Sequence, residues 1–295
     1  MGKRTLIGLA TPSLGDSLGW LPQVEEYRRI HGGDVDVVMD WHYTPLFIPT
    51  YPSLNFLSEG NGDYDASYTI GCHKPEDLQR RIIKIATDTL GLPFREISPK
   101  IALPSNLKNK FKKPYVCIAT QSSAQFKYWN NPVGWEQTVN YLKAVGYEVV
   151  CIDQHECYGV EGRWNHTPVN SVRKNEFNTK EGKKKGPIPL EDRINDLYFC
   201  DFFVGLSSGL SWLAWGMNKP VILIAGASGR KQEFYTPYKV TNRDVCHSCA
   251  GDPDCEPFDR GDWMWCPKQG GTAREFECSR QISFEMVKEQ IDRLL

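Results

Sequence analysis

Apolar and polar positions along this chain fall into two blocks, each alternating between strand-like runs and helical periodicity. An apolar run from Thr5 to Ala10 reads as a strand, followed by the turn SLGDSLG. From about Ser17 to Ile30, Leu18, Leu21, Val24 and Tyr27 recur at helical spacing, with Asp16 or Ser17 as the cap. His31, Gly32 and Gly33 turn the chain into a second strand, DVDVVM at 34–39. YDASYTIG at 64–71 is a further strand candidate, and PEDLQRRIIKIATDTL at 75–90 predicts one helix with proline in its first turn. Residues 93–113 lose periodicity and turn basic (KNKFKK), which marks a linker.

The second block opens with the strand PYVCIAT at 114–120 and the polar loop QSSAQFKYWNNP. A helix at about 133–144 and a strand at 148–152 follow. The next forty residues are polar, and KEGKKK at 180–185 reads as a solvated loop. Pattern returns as a helix at 190–197, a strand at 201–205, a Ser-Ser-Gly turn, a short helix at 209–217 and a strand at 220–225. Strands alternating with helices in both halves predict an α/β fold with two parallel, doubly wound sheets.

Composition narrows the function classes. Lys+Arg is 35 against Asp+Glu 36, a formal charge of -1, which argues against a general nucleic-acid coat. No apolar run approaches the roughly 20 residues that span a bilayer. The apolar stretch at the start is broken by Thr11 and Pro12, so it is not read as a signal peptide. The expectation is a soluble, cytoplasmic protein. Its ten cysteines then need an explanation. Cys72, Cys117, Cys151, Cys157 and Cys200 are scattered, and Cys117, Cys151 and Cys200 read as small buried hydrophobes. The other five lie between Cys246 and Cys278, within 33 residues.

Four constellations could carry chemistry. Ser207-Ser208-Gly209 follows an apolar strand and opens a helix, where free N–H groups and the helix dipole suit an anion; its plainer role is a helix cap. Asp16, in SLGD at the matching place of the first block, could act as a general base toward a hydroxyl, or simply cap its helix. Lys127 beyond the strand at 114–120 could neutralise a phosphate, or be an ordinary surface lysine. In the cysteine block, Cys246-x2-Cys249 is followed after sixteen residues by Cys266 and after eleven more by Cys278. Such spacing suits a four-sulfur shell for iron or zinc, with Cys255 as the spare thiol.

Assembled, these pieces resemble a known family. SLGDSLGWLPQVEEYRR is similar to the N-terminal signature of the heptosyltransferases of glycosyltransferase family 9. KYWNNPVGWEQTVNYLKAVGYEVV, FFVGLSSGLSWLAWGMNKPVILIAG and VCHSC…FDRGDWMWCPKQGGTAREFECSRQIS resemble the bacterial autotransporter heptosyltransferases more closely still. The resemblance implies a GT-B fold, two Rossmann-like domains facing a cleft, with an acceptor-side domain at 1–100 and a nucleotide-sugar domain at 114–295. The latter includes a cysteine-rich metal finger at 245–280. It implies an ADP-heptose donor and a structural metal on Cys246, Cys249, Cys266 and Cys278, with iron preferred to zinc.

By the same resemblance Asp16 takes the place of the catalytic base, and Ser122, Ser123 and Lys127 fall where the family contacts donor phosphates. Ser207, Ser208 and Gly209 stand where many members carry Asp-Thr-Gly, and Trp212 where those have histidine. The expected reaction is an inverting transfer of a sugar, heptose first, from an ADP-sugar to a hydroxyl, with a protein Ser/Thr as the first acceptor. A glycan, a small molecule, a modified DNA base, or a non-catalytic nucleotide-sugar-binding role remain the alternatives, so nucleic acid stays open as a partner. No paired-carboxylate DxD motif is read as a Mg²⁺ site, and no catalytic Mg²⁺ is expected. A homo-oligomer is open; because the chain starts at its first strand, a large ring does not follow from the resemblance.

Overall fold

The computed structural model describes residues 2–153, 190–229, 232–259 and 261–295, so Cys157 and KEGKKK lie outside the described residues. The first sheet is parallel throughout, with β1 (Arg4–Ala10), β2 (Asp34–Val38), β3 (Asn55–Leu57) and β4 (Ala66–Gly71) in the order β3-β2-β1-β4. Helix α1 (Leu14–His31) connects β1 to β2, and α2 (Ile82–Thr89) follows β4. The second sheet, also parallel, comprises β5 (Tyr115–Ile118), β6 (Glu148–Cys151), β7 (Phe203–Leu206), β8 (Val221–Ile224) and β9 (Lys239–Val240), ordered β6-β5-β7-β8-β9. Its helices are α3 (Gly134–Ala144), α4 (Leu190–Phe199), α5 (Gly209–Gly216), α6 (Glu277–Arg280) and α7 (Phe284–Asp292). Strands β5, β7 and β8 are buried at every residue, as parallel strands covered on both faces must be.

Several elements depart from the sequence reading. Helix α1 starts at Leu14, with Ser13 as its N-cap residue, so Asp16 sits in the first turn and does not cap it. The helix expected at 75–90 is two pieces, a 3-10 turn at Pro75–Gln79 and α2. Arg80 and Arg81 break it with extended backbone, at ψ 158° and 132°. Strands β3 and β9 are too short for period-two alternation to reveal, and α7 lies beyond the last patterned segment. The stretch at 93–113 forms no helix or strand but is pinned. The Lys100 N–H donates to Tyr51 Oη at 2.9 Å, and Lys108 exchanges two bonds with the Asn195 side chain.

One apolar core runs from the first sheet through α1, α2 and α5 into the second sheet, joining Leu21 and Ile85 to Trp212 and Leu223. Helices α1 and α5 touch through small residues. A Cβ on Gly15 would lie 3.1 Å from the Trp212 ring, and one on Gly209 would lie 3.1 Å from Leu14 Cβ. Trp20 locks α2 to α1 by donating its indole N–H to Ile82 O at 2.8 Å. This contact brings the carboxyl ends of β1 and β7 to the same place.

Candidate active site between the two sheets

In open α/β sheets, loops at the carboxyl ends of strands form the binding crevice. Here those loops line two adjoining cavities of about 330 and 340 Å³. Asp16, Ser123, Lys127 and Ser207 border both, while Ser122, Ser208 and Gly209 border the first. The cleft thus gathers every cleft residue that the sequence reading singled out.

Asp16 is aimed by the short loop after β1. Thr11 Oγ1 donates to Asp16 Oδ2 at 2.8 Å while accepting the Ser13 N–H at 3.0 Å, so one hydroxyl links the loop to the carboxylate. The Ser13 side chain caps nothing at this helix start. Ser208, N-cap of α5, likewise makes no side-chain cap bond, and its Oγ is shut off from solvent with no hydrogen-bond partner among the described residues. Two helix N-termini therefore converge on one cleft without side-chain caps, leaving N–H groups and positive dipole ends for an anionic ligand.

Beyond β5, Asp153 organises the opposite wall. Its buried carboxylate accepts the Thr120 N–H at 2.8 Å, the Thr120 hydroxyl at 2.7 Å and the Gln121 N–H at 3.2 Å. Burial still raises its pKa above the ordinary carboxylate value, those bonds notwithstanding. Ser122 Oγ then ties this loop to the next by donating to Ser207 O at 3.1 Å. Lys127 Nζ donates to Ser123 Oγ at 3.3 Å and lies 5.6 Å from the centres of both the Phe126 and Phe258 rings. Asp-x-Asp pairs occur at 34–36, 63–65 and 252–254, and none of them lines the cleft.

The cysteine block stands beside this cleft. Cys246, Cys249, Cys266 and Cys278 line one narrow cavity of about 10 Å³ together with Phe126, Trp265 and Phe276. Cys246 Sγ and Cys249 Sγ are 3.9 Å apart. Burial, and then the neighbouring Cys266 and Cys246, push the Cys278 thiol up to about 12, and burial likewise raises Cys249 and Cys266. Cys255 is not in that lining; its thiol faces Asp252 Oδ2 at 3.5 Å. Among the described residues, no three His, Cys, Asp or Glu side chains are drawn together as a metal-holding group. The nine described cysteines are free thiols, with Cys117, Cys151 and Cys200 buried in the core as expected.

The block also braces the cleft. Ser248 N–H donates to Gly226 O and Ala250 N–H to Ala227 O, both at 3.0 Å. A side chain at Gly226 would place its Cβ 2.5 Å from Cys278 O, so only glycine allows this approach. From the first half, Gln79 Nε2 donates to Asp252 O at 3.1 Å and Cys255 O at 2.8 Å. Sequence reasoning missed Asp153, Ser228 and Glu233 in the cleft wall. Asp153 had a usable signal, its place at the end of a strand; Ser228 and Glu233 sit in an irregular loop and had none.

Residues 73–256 match the family model of glycosyltransferase family 9 (heptosyltransferase). The autotransporter heptosyltransferase TibC of Escherichia coli O78:H11 is 37% identical over 301 residues, covering 98% of this chain and 71% of the relative. Autotransporter heptosyltransferase BAHTCr of Citrobacter rodentium is 37% identical over 300 residues, covering 98% and 70%. Inactive autotransporter heptosyltransferase BimC of Burkholderia thailandensis is 30% identical over 302 residues, covering 98% and 68%. The crystal structure of TibC, described as an iron-containing dodecameric glycosyltransferase, superposes with a TM-score of 0.90 at 36% identity, over 99% of this chain and 76% of that one. A second TibC structure, in complex with ADP-D-beta-D-heptose, gives 0.88 at 35% identity with the same coverage. The chain has the α/β glycosyltransferase fold of two parallel sheets about a cleft, and it belongs to glycosyltransferase family 9, the heptosyltransferases.

Proposed function

We propose that the cleft transfers heptose from ADP-heptose to an acceptor hydroxyl with inversion at the anomeric carbon. The observation that carries this reading is the meeting of Asp16, Lys127 and the N-terminus of α5 in one cleft. Asp16, oriented by Thr11, takes the proton from the acceptor hydroxyl as its oxygen bonds to the anomeric carbon. The bond from that carbon to the ADP oxygen breaks on the opposite side. Lys127, Ser123 and the N–H groups at the start of α5, that of Gly209 first, offset the charge that grows on the departing diphosphate. A lysine and a helix N-terminus together do the work a divalent cation does in other sugar transferases, so no catalytic Mg²⁺ is invoked.

The acceptor we propose is a serine or threonine hydroxyl of a protein. The names of the relatives, autotransporter heptosyltransferases, support it. Cys246, Cys249, Cys266 and Cys278 would hold a structural iron, and zinc suits the same donors. The Cys246–Cys249 separation of 3.9 Å supports this, since two thiolates about 2.3 Å from a tetrahedral metal stand about 3.8 Å apart. The metal would supply a cross-link between the CxxC turn and the two later cysteines. Reduced thiols and the lack of a membrane-crossing helix among the described residues support a cytoplasmic setting. The dodecameric TibC supports a homo-oligomer. The division into an acceptor-side domain at 1–100 and a donor-side domain at 114–295, with the finger at 245–280, is part of this proposal.

Intact-mass analysis of a co-expressed or purified acceptor, with ADP-heptose against a panel of other ADP-sugars, tests the reading. A mass increase of one heptose on the acceptor is expected. Binding of ADP without transfer from any ADP-sugar would instead favour a non-catalytic binding protein; one relative, BimC, is named as inactive.

A further inference from the structure

Two polar atoms on the cleft wall have no part in the reaction just described. Ser228 Oγ and Glu233 Oε1 are both shut off from bulk solvent, and neither has a hydrogen-bond partner among the described residues. The residues are 9% and 4% exposed and border the same 340 Å³ cavity as Asp16, Lys127 and Ser207. The other carboxylate oxygen of Glu233 is satisfied, because Lys239 Nζ donates to Oε2 at 2.7 Å and to Gly229 O at 2.9 Å. Burial favours the protonated acid, yet the Lys239 charge, with Ser207 and Ser228 hydroxyls beside the carboxylate, holds its pKa below the ordinary value. Lys239 thus holds one oxygen of Glu233, while the other makes no hydrogen bond among the described residues and has the Ser207 and Ser228 hydroxyls beside it.

A buried carboxylate oxygen left unpaired is unfavourable, and a hydroxyl of a bound ligand is a group that would satisfy it. A carboxylate repels a diphosphate and accepts from hydroxyls. Gln232, next to Glu233, is tied on both sides. Gln232 Oε1 accepts the Gly229 N–H at 2.7 Å, and Gln232 Nε2 donates to Ala250 O of the cysteine block at 2.6 Å. We propose that Glu233 and Ser228 read neighbouring hydroxyls of the transferred sugar, Glu233 Oε1 accepting from one and Ser228 Oγ pairing with the next. This assigns a specificity-determining pair and rests on the donor reading above. The ribose of the donor offers the same diol chemistry; the transferred sugar is preferred because Asp16 borders this cavity and the anomeric carbon must come to Asp16.

Calorimetric titration of ADP and of ADP-D-β-D-heptose into the full chain, its Glu233→Gln variant and its Ser228→Ala variant decides the matter. Glu233→Gln puts an amide donor where the acceptor was. It is expected to weaken ADP-heptose about tenfold to a hundredfold, the range of a hydrogen bond to a charged group, while ADP stays within about twofold. Ser228→Ala is expected to show the same selectivity with a loss of about threefold to tenfold. Equal losses for ADP and ADP-heptose would assign Glu233 to the ribose or to loop support, and unchanged affinity for both would remove it from recognition. Either result overturns the proposal while leaving the donor reading intact. Should Glu233→Gln fail to fold, Ser228→Ala alone decides by the same criterion. If the unsubstituted chain bound neither nucleotide, the donor reading would fall as well.

Discussion

The cleft and the cysteine finger are assembled from opposite distributions along the chain. The cleft draws Asp16, Lys127 and Ser208 from three strand ends up to 192 residues apart, and they meet only because α1 packs on α5. The finger draws its four thiols from 33 consecutive residues, and all four line one cavity. The first is a product of architecture, the second of local sequence. They are nevertheless coupled, because the backbone at Ser248 and Ala250 holds the loop that carries Ser228 and Glu233 into the cleft. A region without reacting groups thus sets the shape of one that has them.

The sharpest way to break this picture is Asp16→Asn. The amide still accepts from Thr11, so the fold should hold while kcat falls by about 10²–10⁴, the usual worth of a positioned base. Near-normal turnover in a folded variant would move the base elsewhere. Next comes Lys127→Met, expected to lower kcat/KM by roughly a hundredfold with a smaller effect on ADP binding, as for loss of a group that meets developing charge. The coupling itself is tested by chelation or Cys249→Ser. The proposed metal, near one per chain, should be lost, the melting temperature should drop by about 5 °C or more, and the proposed donor should bind more weakly. Metal loss with donor affinity unchanged would uncouple the two regions.

A smaller effect is expected where the helices touch. Gly15→Ala meets the Trp212 ring at 3.1 Å and should cost about 1–3 kcal/mol in chemical denaturation, as overpacking does, with a rise in donor KM. The smallest belongs to Asp36, which lies in neither region. Burial opposes its charge, but bonds from Asn55, Tyr64 and Arg4 outweigh burial and leave its pKa lowered. A lowered carboxylate pKa stabilises the fold above its unfolded value near 3.9 and loses that contribution as pH falls further. Asp36→Asn should therefore flatten the acid limb of a stability profile below about pH 4 and leave transfer untouched.

The alternation of periods along the chain determined the α/β class, because two parallel sheets follow from strands separated by helices. It also pointed to the turns that line the cleft, since Asp16, Lys127 and Ser207–Gly209 each follow an apolar strand-like run, and it showed the metal-like spacing of the cysteines. It did not reveal the break at Arg80 and Arg81, because helical periodicity continues across residues whose backbone is extended. Only the tertiary structure decided that Asp16 is oriented by Thr11 and does not cap its helix, that Asp153 and Glu233 line the cleft, and that the cysteine block braces the loop after β8. The physical reason is range. Periodicity records which face of an element is buried, whereas a cleft is made by side chains whose neighbours lie far away in the chain, and no spacing encodes those neighbours.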